Sequence, residues 1–221
     1  MKPRPAAVRR KPKQRRSRQT VEAVLGAVVR VLKREGPDAV TTNRVAEVAG
    51  LSIGSVYQYF PDKRAIFVAL HRRHIQEVDR LIEAKLVENA TAPLEQFVRA
   101  MIETMVNAHR KDPELYAELY QQVPHQADGT QDFAVRLHGA FRLALASRAK
   151  ELKGGRDLDN VAFIVTHLVD ALSHGAVLRR PPGLSLAAAE EEAINAILAY
   201  LRDSSTRDRL AAASQRFSNL C

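Results

Sequence analysis

Thr41 to Lys63 reads TTNRVAEVAGLSIGSVYQYFPDK, and the fold turns on its spacing. Thr41-Thr42 offers a helix N-cap, and Val45, Ala46 and Val48 are the apolar residues of a short helix that ends at Gly50. Leu51-Ser52 follows. Ser52 can cap a second short helix running to about Tyr59, where Phe60-Pro61-Asp62 breaks the chain. The segment therefore reads as helix, tight turn, helix. Ala46 and Ala49 are small enough to let two short helices cross closely, and Leu51 fills the angle between them. Val56 and Phe60 are four apart, so they share a face that can anchor the second helix to a core. The other face shows Ile53, Ser55, Tyr57, Gln58 and Tyr59. Short, polar and aromatic side chains at a helix start suit a DNA major groove, and the unpaired N–H groups there suit a phosphate.

Outward from this stretch almost everything reads as helix. Before it, Val21, Val24, Leu25, Val28 and Leu32 recur at three and four, and Gly36-Pro37 stops the segment. After it, a long helix begins near Lys63 with Ile66, Phe67, Leu70, Val78, Leu81 and Ile82. Further stripes run from Leu94 to Val106, from Glu114 to Gln122, from Phe133 to Leu145, from Val161 to Leu172 and from Glu190 to Leu201. Gln126 to Thr130 reads as a loop, and Gly154-Gly155 and Pro181-Pro182-Gly183 are stops. The expected map is a basic tail, three short helices to about residue 60 and six longer ones, with no convincing strand.

The 221 residues carry 34 Lys and Arg against 25 Asp and Glu, a formal charge of +9, and 46% are hydrophobic. That length and composition can bury a sizeable core. Lys2, Arg4, Arg9, Arg10, Lys11, Lys13, Arg15, Arg16 and Arg18 precede the first acid, Glu22, and account for the whole of the net charge. A block of like charge containing Pro3, Pro5 and Pro12 is expected to be disordered alone and reads as an arm for a polyanion or as a solubilising tail. The single cysteine, Cys221, excludes a disulfide scaffold within the chain and thiolate-rich metal sites. No apolar run approaches the ~18–20 residues of a membrane span, and no apolar stretch follows the basic start at once as in a secretory signal. The expectation is a cytoplasmic protein without a membrane partner.

Thr42, Val45, Ala46, Ala49, Gly50, Leu51, Ser52, Gly54, Tyr57, Tyr59, Phe60 and Lys63 stand in the order of one known motif. The stretch resembles the DNA-binding domain of TetR/AcrR-type transcriptional repressors over about residues 19–70; beyond residue 70 the resemblance is architectural. It implies an all-α fold. A basic arm, 1–18, would precede an N-terminal three-helix helix-turn-helix domain, 19–64. A C-terminal helical effector-binding and dimerisation domain, 65–205, and a tail, 206–221, would follow. The implied activity is that of a homodimeric transcriptional repressor that binds a double-stranded operator and loses affinity when a small-molecule effector binds. Carried over by position, Thr42 would bond a phosphate, and Asn43 and Arg44 would reach a base or phosphate. Ser52, Ile53, Gly54 and Ser55 would form the start of the recognition helix, with Gly54 allowing close approach of its backbone to DNA. Tyr57 and Tyr59 would contact phosphates, Gln58 a base edge, and Lys63 a phosphate; many family members have His where Tyr59 stands. The last two long helices, 158–179 and 186–202, would form the dimer seam, with Ile197 and Leu201 on it. The alternative is an effector-independent architectural or nucleoid-associated protein, which would keep the arm and the motif.

Met101, Met105, Tyr116, Tyr120, Phe133, Phe141 and Phe163 concentrate in the middle helices. By resemblance Met101, Met105, Tyr116, Tyr120, Phe141, Phe163 and His167 would line a pocket for a mostly apolar effector; the bland reading of the same stripes is core. His167, Asp170 and His174 share a helix face at i, i+3 and i+7, which could hold a metal or equally belong to a polar seam or pocket wall. His109 and His138 lie on apolar faces. Ser147 and Ser173 lack nucleophile-elbow glycines, no His-Glu-x-x-His segment exists, and Glu190 to Glu192 sit at a helix start. No catalytic residue, metal or cofactor is assigned, and no enzyme is expected.

Overall fold

The computed structural model describes residues 15–123, 130–152 and 156–202, and the apolar periodicity is realised in them as helix. Among these residues there are nine α-helices, a 3-10 turn over Pro37–Ala39 and no strand. They are α1 (Arg15–Glu35), α2 (Thr42–Ala49), α3 (Ile53–Tyr59), α4 (Lys63–Glu88), α5 (Leu94–Arg110), α6 (Pro113–Gln122), α7 (Thr130–Ala146), α8 (Leu158–Leu178) and α9 (Leu186–Arg202). Helix α1 already begins at Arg15, so the end of the basic run, 15–18, is helical. The rest of that run, most of the expected loop at 126–130, Gly154-Gly155 and the tail 206–221 lie outside the described residues. The chain divides into two units, Met1–Arg80 with His109–Ala134, and Leu81–Ala108 with Val135–Cys221.

In the first unit α1 buries Val24, Leu25, Val28, Val31 and Leu32. It stops because Gly36 turns left-handed at φ 84 and Pro37 cannot continue a helix. The buried Val45 and Ala46 of α2, Val56 and Phe60 around α3, and Ile66, Phe67 and Leu70 of α4 complete one core with α1. Asp62 caps α4 by accepting the Ala65 N–H at 2.7 Å. Asp112 caps α6 in front of Pro113, and Leu119 and Val123 seat that helix on the same core. Lys33 meets Asp112 at 2.8 Å, joining α1 to the start of α6. The expected histidine on an apolar face, His109, is buried, with its ring stacked on Tyr116 at 4.0 Å and tilted against His74 at 5.0 Å.

In the second unit Leu94, Phe97, Met101, Ile102 and Met105 of α5, and Leu137, Phe141 and Leu145 of α7, are buried. The Phe97 and Phe141 rings meet edge to face at 5.7 Å. Helices α8 and α9 pack together, with Val161, Val165 and Val169 of one and Ile194, Ile197, Leu198 and Leu201 of the other buried. Ile197 and Leu201, expected on the seam between subunits, are therefore core residues of the chain itself: they lie on the inward side of α9, and its outward side carries Ala188, Asn195, Ala196 and Ala199. Helix α8 spans 21 residues and is, by length and composition alone, apolar enough to cross a membrane, although Asp159, His167, Asp170 and His174 interrupt its apolar residues and its valines pack on α9.

One turn organises this unit. Arg148, only 4% exposed, follows α7. Its Nε donates to the Ala92 carbonyl at 2.9 Å, Nη1 to Ala144 at 2.6 Å, and Nη2 to Ala90 at 3.2 Å and to the Asn89 carbonyl. The same guanidinium lies over the Phe97 ring at 4.4 Å. Three residues on, Glu151 accepts the Leu94 N–H at 2.9 Å and so caps α5. The end of α4, the start of α5 and the end of α7 thus share one side chain. Burial pushes the Arg148 guanidinium below its ordinary pKa, opposed by the charge of Glu151. Arg148→Ala would leave several carbonyls unpaired and should cost about 3 kcal/mol. Arg148→Lys should recover less than half of that, since an ammonium cannot fork across four carbonyls. Thermal unfolding of the two variants against the parent chain measures both.

Candidate nucleic-acid interface

Helices α2 and α3 are set against each other by two backbone bonds at a glycine. Gly50 is left-handed, at φ 68 and ψ 33. Its N–H reaches the Glu47 carbonyl at 3.0 Å, and the Leu51 N–H reaches the Ala46 carbonyl at 2.9 Å. This pairing closes the end of α2 and turns the chain into the next helix. The Thr41 hydroxyl accepts the Arg44 N–H at 3.1 Å and caps α2. The Ser52 hydroxyl accepts the Ser55 N–H at 3.1 Å and caps α3. Of the two residues offered as caps at the first site, Thr41 is the one that serves, which leaves Thr42 on the helix.

The expected contact residues divide into three groups. Ser52, Ile53, Gly54, Tyr57 and Gln58 are exposed along one side of α3, with Ser55 half-buried beside them and Asn43 exposed at the start of α2. The Tyr57 ring is 42% exposed, and its hydroxyl stands 3.3 Å from that of Thr42, so the two share a spot between the helices. The Lys63 ammonium donates to the Pro37 carbonyl at 3.3 Å and lies 5.4 Å from the Phe67 ring centre, at the rim of the same unit.

Tyr59, expected at a phosphate, and Arg44, expected at a base or phosphate, are each engaged within the chain itself. Tyr59 is buried at 8% exposure among Val56, Phe60 and the α1 residues; the inward side of so short a helix needs it as core. Arg44 directs its guanidinium at two carboxylates. Nε is 2.8 Å and Nη2 2.8 Å from the two Glu35 oxygens, and Nη1 is 2.7 Å from Glu47. Hydrogen bonding from Arg44, with the charges of Arg44 and Arg34, holds Glu35 below the usual carboxylate range despite the opposing cost of burial. The Arg44–Glu47 pair was legible as an i, i+3 spacing; Glu35, nine residues upstream across a turn, was not.

The residues expected to line a pocket are drawn from both units. Met101, Met105 and Phe141 are buried in the second unit. Phe163 is 52% exposed and lies against His167 at 4.1 Å, both on the outward side of α8. Tyr116 and Tyr120 belong to the first unit. His167 Nδ1 bonds to its own helix, at the Phe163 carbonyl, at 2.8 Å, while His174 pairs with Asp170 at 3.5 Å. Among the described residues no three His, Cys, Asp or Glu side chains gather as metal ligands. His138 lies 3.9 Å from Asp159, which Arg142 holds at 2.6 Å.

A capped, glycine-turned helix pair with an exposed second helix defines a helix-turn-helix module on an all-helical chain. Residues 24–70 match the family of bacterial regulatory proteins of the TetR type, and residues 93–201 match the tetracycline repressor-like C-terminal domain. The chain belongs to the TetR family. The nucleoid occlusion factor SlmA of Actinobacillus pleuropneumoniae is 36% identical over 99 residues, 44% of this chain and 46% of that protein, so the chain spans about half the length of this relative. Among solved structures, a putative transcriptional regulator from Saccharomonospora viridis in complex with choline is 16% identical. It covers 81% of this chain and 96% of its own at a TM-score of 0.61. NalD, the secondary repressor of the MexAB-OprM multidrug efflux pump in Pseudomonas aeruginosa, is 15% identical, covers 86% of this chain and 100% of its own, and has a TM-score of 0.60. These two share the fold.

The Ser52 cap can be tested apart from any ligand. Ser52→Ala should lower unfolding stability by about 1 kcal/mol, and Ser52→Asp should leave it within about 0.3 kcal/mol of the parent. Denaturant titration followed by circular dichroism gives both values.

Proposed function

We propose that this chain is a cytoplasmic, homodimeric regulator of transcription that reads a DNA operator with α3. The observation that carries the reading is the exposed face of Ser52, Ile53, Gly54, Tyr57 and Gln58, held by two caps and the Gly50 turn. Gly54 supports it. A Cβ there would meet only the Ser52 Oγ, at 3.9 Å, so no packing inside the chain calls for a glycine. On this reading its use is a close approach of the DNA backbone. On this reading Thr42 and Tyr57 form one phosphate site with their neighbouring hydroxyls, Lys63 binds a second phosphate, and Asn43 and Gln58 meet base edges. Ser52, Ile53 and Ser55 fit the groove at the start of the helix. Tyr59 serves the core that holds α3. The basic residues ahead of α1 supply attraction that does not depend on sequence. The reading assigns no catalytic step.

The dimer reading rests on α8. Its inward valines are buried, yet Phe163, Ile164, Leu168, Ala171, Gly175 and Leu178 place apolar surface on the other side, with His167, Asp170 and His174 among them. A helix with apolar surface on two sides is stable when both are covered. The small outward residues of α9, Ala188, Ala196 and Ala199, allow a close second surface. Repression relieved by a mostly apolar small molecule is the regulatory mode proposed; the repressor NalD and the choline-bound regulator share the fold that supports it. The name of the relative SlmA favours one further reading, a nucleoid-associated protein that needs no effector. Sequencing the chromosomal fragments retained by the purified chain separates them: a few strong operators support the regulator, and many dispersed sites support the nucleoid protein.

Tyr57→Ala combined with Lys63→Ala should weaken binding to a retained fragment at least ~100-fold, because two phosphate contacts per subunit are lost at about 1 kcal/mol each. Unchanged affinity in a gel-shift titration removes the assignment. Phe163→Glu with Ile164→Glu should give folded monomers in sedimentation, because it places unpaired charge in the seam. A persistent dimer shows that α8 does not form the interface. Ile197→Glu, by contrast, should unfold the chain.

A further inference from the structure

The Glu35–Arg44–Glu47 cluster stands at the edge of the surface just assigned to DNA, and its chemistry is not that of a phosphate site. One cation meets two acids, so the group carries a net negative charge. Arg44 gives Nε and Nη2 to Glu35 as a fork at 2.8 Å each, and Nη1 to Glu47 at 2.7 Å. Such two-point pairing fixes a guanidinium in orientation as well as in place. The cluster also ties two elements together. Glu35 is the last residue of α1, and Arg44 lies in the first turn of α2, on the far side of the Pro37–Ala39 turn. The Arg44 backbone is held as well, through the Thr41 hydroxyl at 3.1 Å. Both the main chain and the side chain of one residue therefore fix the start of α2, where Thr42 and Asn43 stand.

We propose that Arg44 is a positioning residue, not a DNA ligand, and that Glu35 determines specificity by keeping this arginine off the phosphates. The inference rests on the DNA-binding reading. A free arginine at the lip of a groove binds any duplex, because phosphate contacts carry no sequence information. Clasped by Glu35 and Glu47, it adds nothing to binding of random DNA and instead holds Thr42 and Asn43 where an operator needs them. Specificity is a difference between two affinities, so removing an indiscriminate contact while improving a placed one raises it from both sides. The hydrogen bonds it donates to the two carboxylates raise the Arg44 pKa further, so the guanidinium stays charged.

The test is the salt dependence of binding to a duplex of random sequence and to a fragment retained from the chromosome. The chains compared are the parent, Glu35→Gln, and the double variant Glu35→Gln with Arg44→Gln, which removes the clasp without changing net charge. Each phosphate contact adds ~0.9 to the slope of log affinity against log salt. Glu35→Gln should free Arg44, steepen the slope on random DNA by about two for a dimer, and lower the ratio of fragment to random affinity. The double variant should keep the parent slope and lose affinity for the fragment alone. If the double variant flattens the slope by about two, Arg44 already binds phosphate in the parent and the proposal is overturned. An unchanged slope and ratio in Glu35→Gln overturns it as well. If the parent chain binds neither DNA, the DNA-binding reading falls, and this inference with it. Matched circular dichroism of the three chains keeps a folding defect from passing as an effect on binding.

Discussion

The left-handed turn at Gly50 is the constraint on which the reading surface depends. An L-residue with a Cβ pays about 1–2 kcal/mol to sit there, and glycine avoids that cost. With φ at 68 the chain can bond the N–H groups of Gly50 and Leu51 back to the carbonyls of Glu47 and Ala46 and leave at the angle α3 requires. The rest of the unit follows from that angle. Val56, Tyr59 and Phe60 turn inward onto α1 and α4, which forces Ile53, Tyr57 and Gln58 outward. The Thr42 and Tyr57 hydroxyls, fifteen residues apart in sequence, come within 3.3 Å. Seven residues of α3 could not hold this arrangement as an isolated helix. It is held from beneath, by the core.

The second unit solves a different problem with one charge. Helix ends leave carbonyls without partners, and three helix ends meet around Arg148. A guanidinium satisfies several carbonyls at once because its donors lie in a fixed plane. Burial disfavours that charge, and the carbonyl dipoles together with the Phe97 ring offset the cost. Where Arg148 ties together the ends of α4, α5 and α7 through main-chain groups, Arg99 ties α5 to α9 through a side-chain pair, forked on Glu191 at 2.7 and 3.0 Å.

What could be read from the sequence was what is local. Caps, glycine stops and the three-four apolar spacing place α2 to α9 with bounds close to those expected, because each signal lies within a few residues of its effect. Arg148 left no such signal, since, apart from Ala144 and the Ser147 hydroxyl beside it, its partners are main-chain carbonyls more than fifty residues away. Glu35 was invisible as the partner of Arg44 for the same reason on a smaller scale. Tyr59 was assigned from motif position, and its burial follows from packing that motif position does not encode. The α8 and α9 stripes failed more instructively. Each helix has apolar or small residues on two sides, and periodicity cannot tell the side that meets the chain itself from the side that is left. Ile197 and Leu201 for that reason meet the chain itself, while Phe163 and His167 are left on the outward side of α8.

The charge distribution makes the placement of Arg44 intelligible. From Thr41 to Lys63 the chain has two cations, Arg44 and Lys63, and two acids, Glu47 and Asp62. Adding Glu35, which the fold brings to Arg44, and Arg30, which donates to the Val48 carbonyl at 3.2 Å, leaves the helix pair near neutral. Such a surface has little attraction of its own for a polyanion, and the hydroxyls and amides along α3 act only at contact distance. The excess positive charge lies in residues 1–18, ahead of α1 and in its first residues. Attraction and discrimination are thereby given to different parts of the chain: a basic run that any duplex satisfies, and a near-neutral helix pair that rewards only a fitting groove. A free arginine on the helix pair would blur that division, since it would raise affinity for every sequence alike. The two carboxylates on Arg44 preserve it.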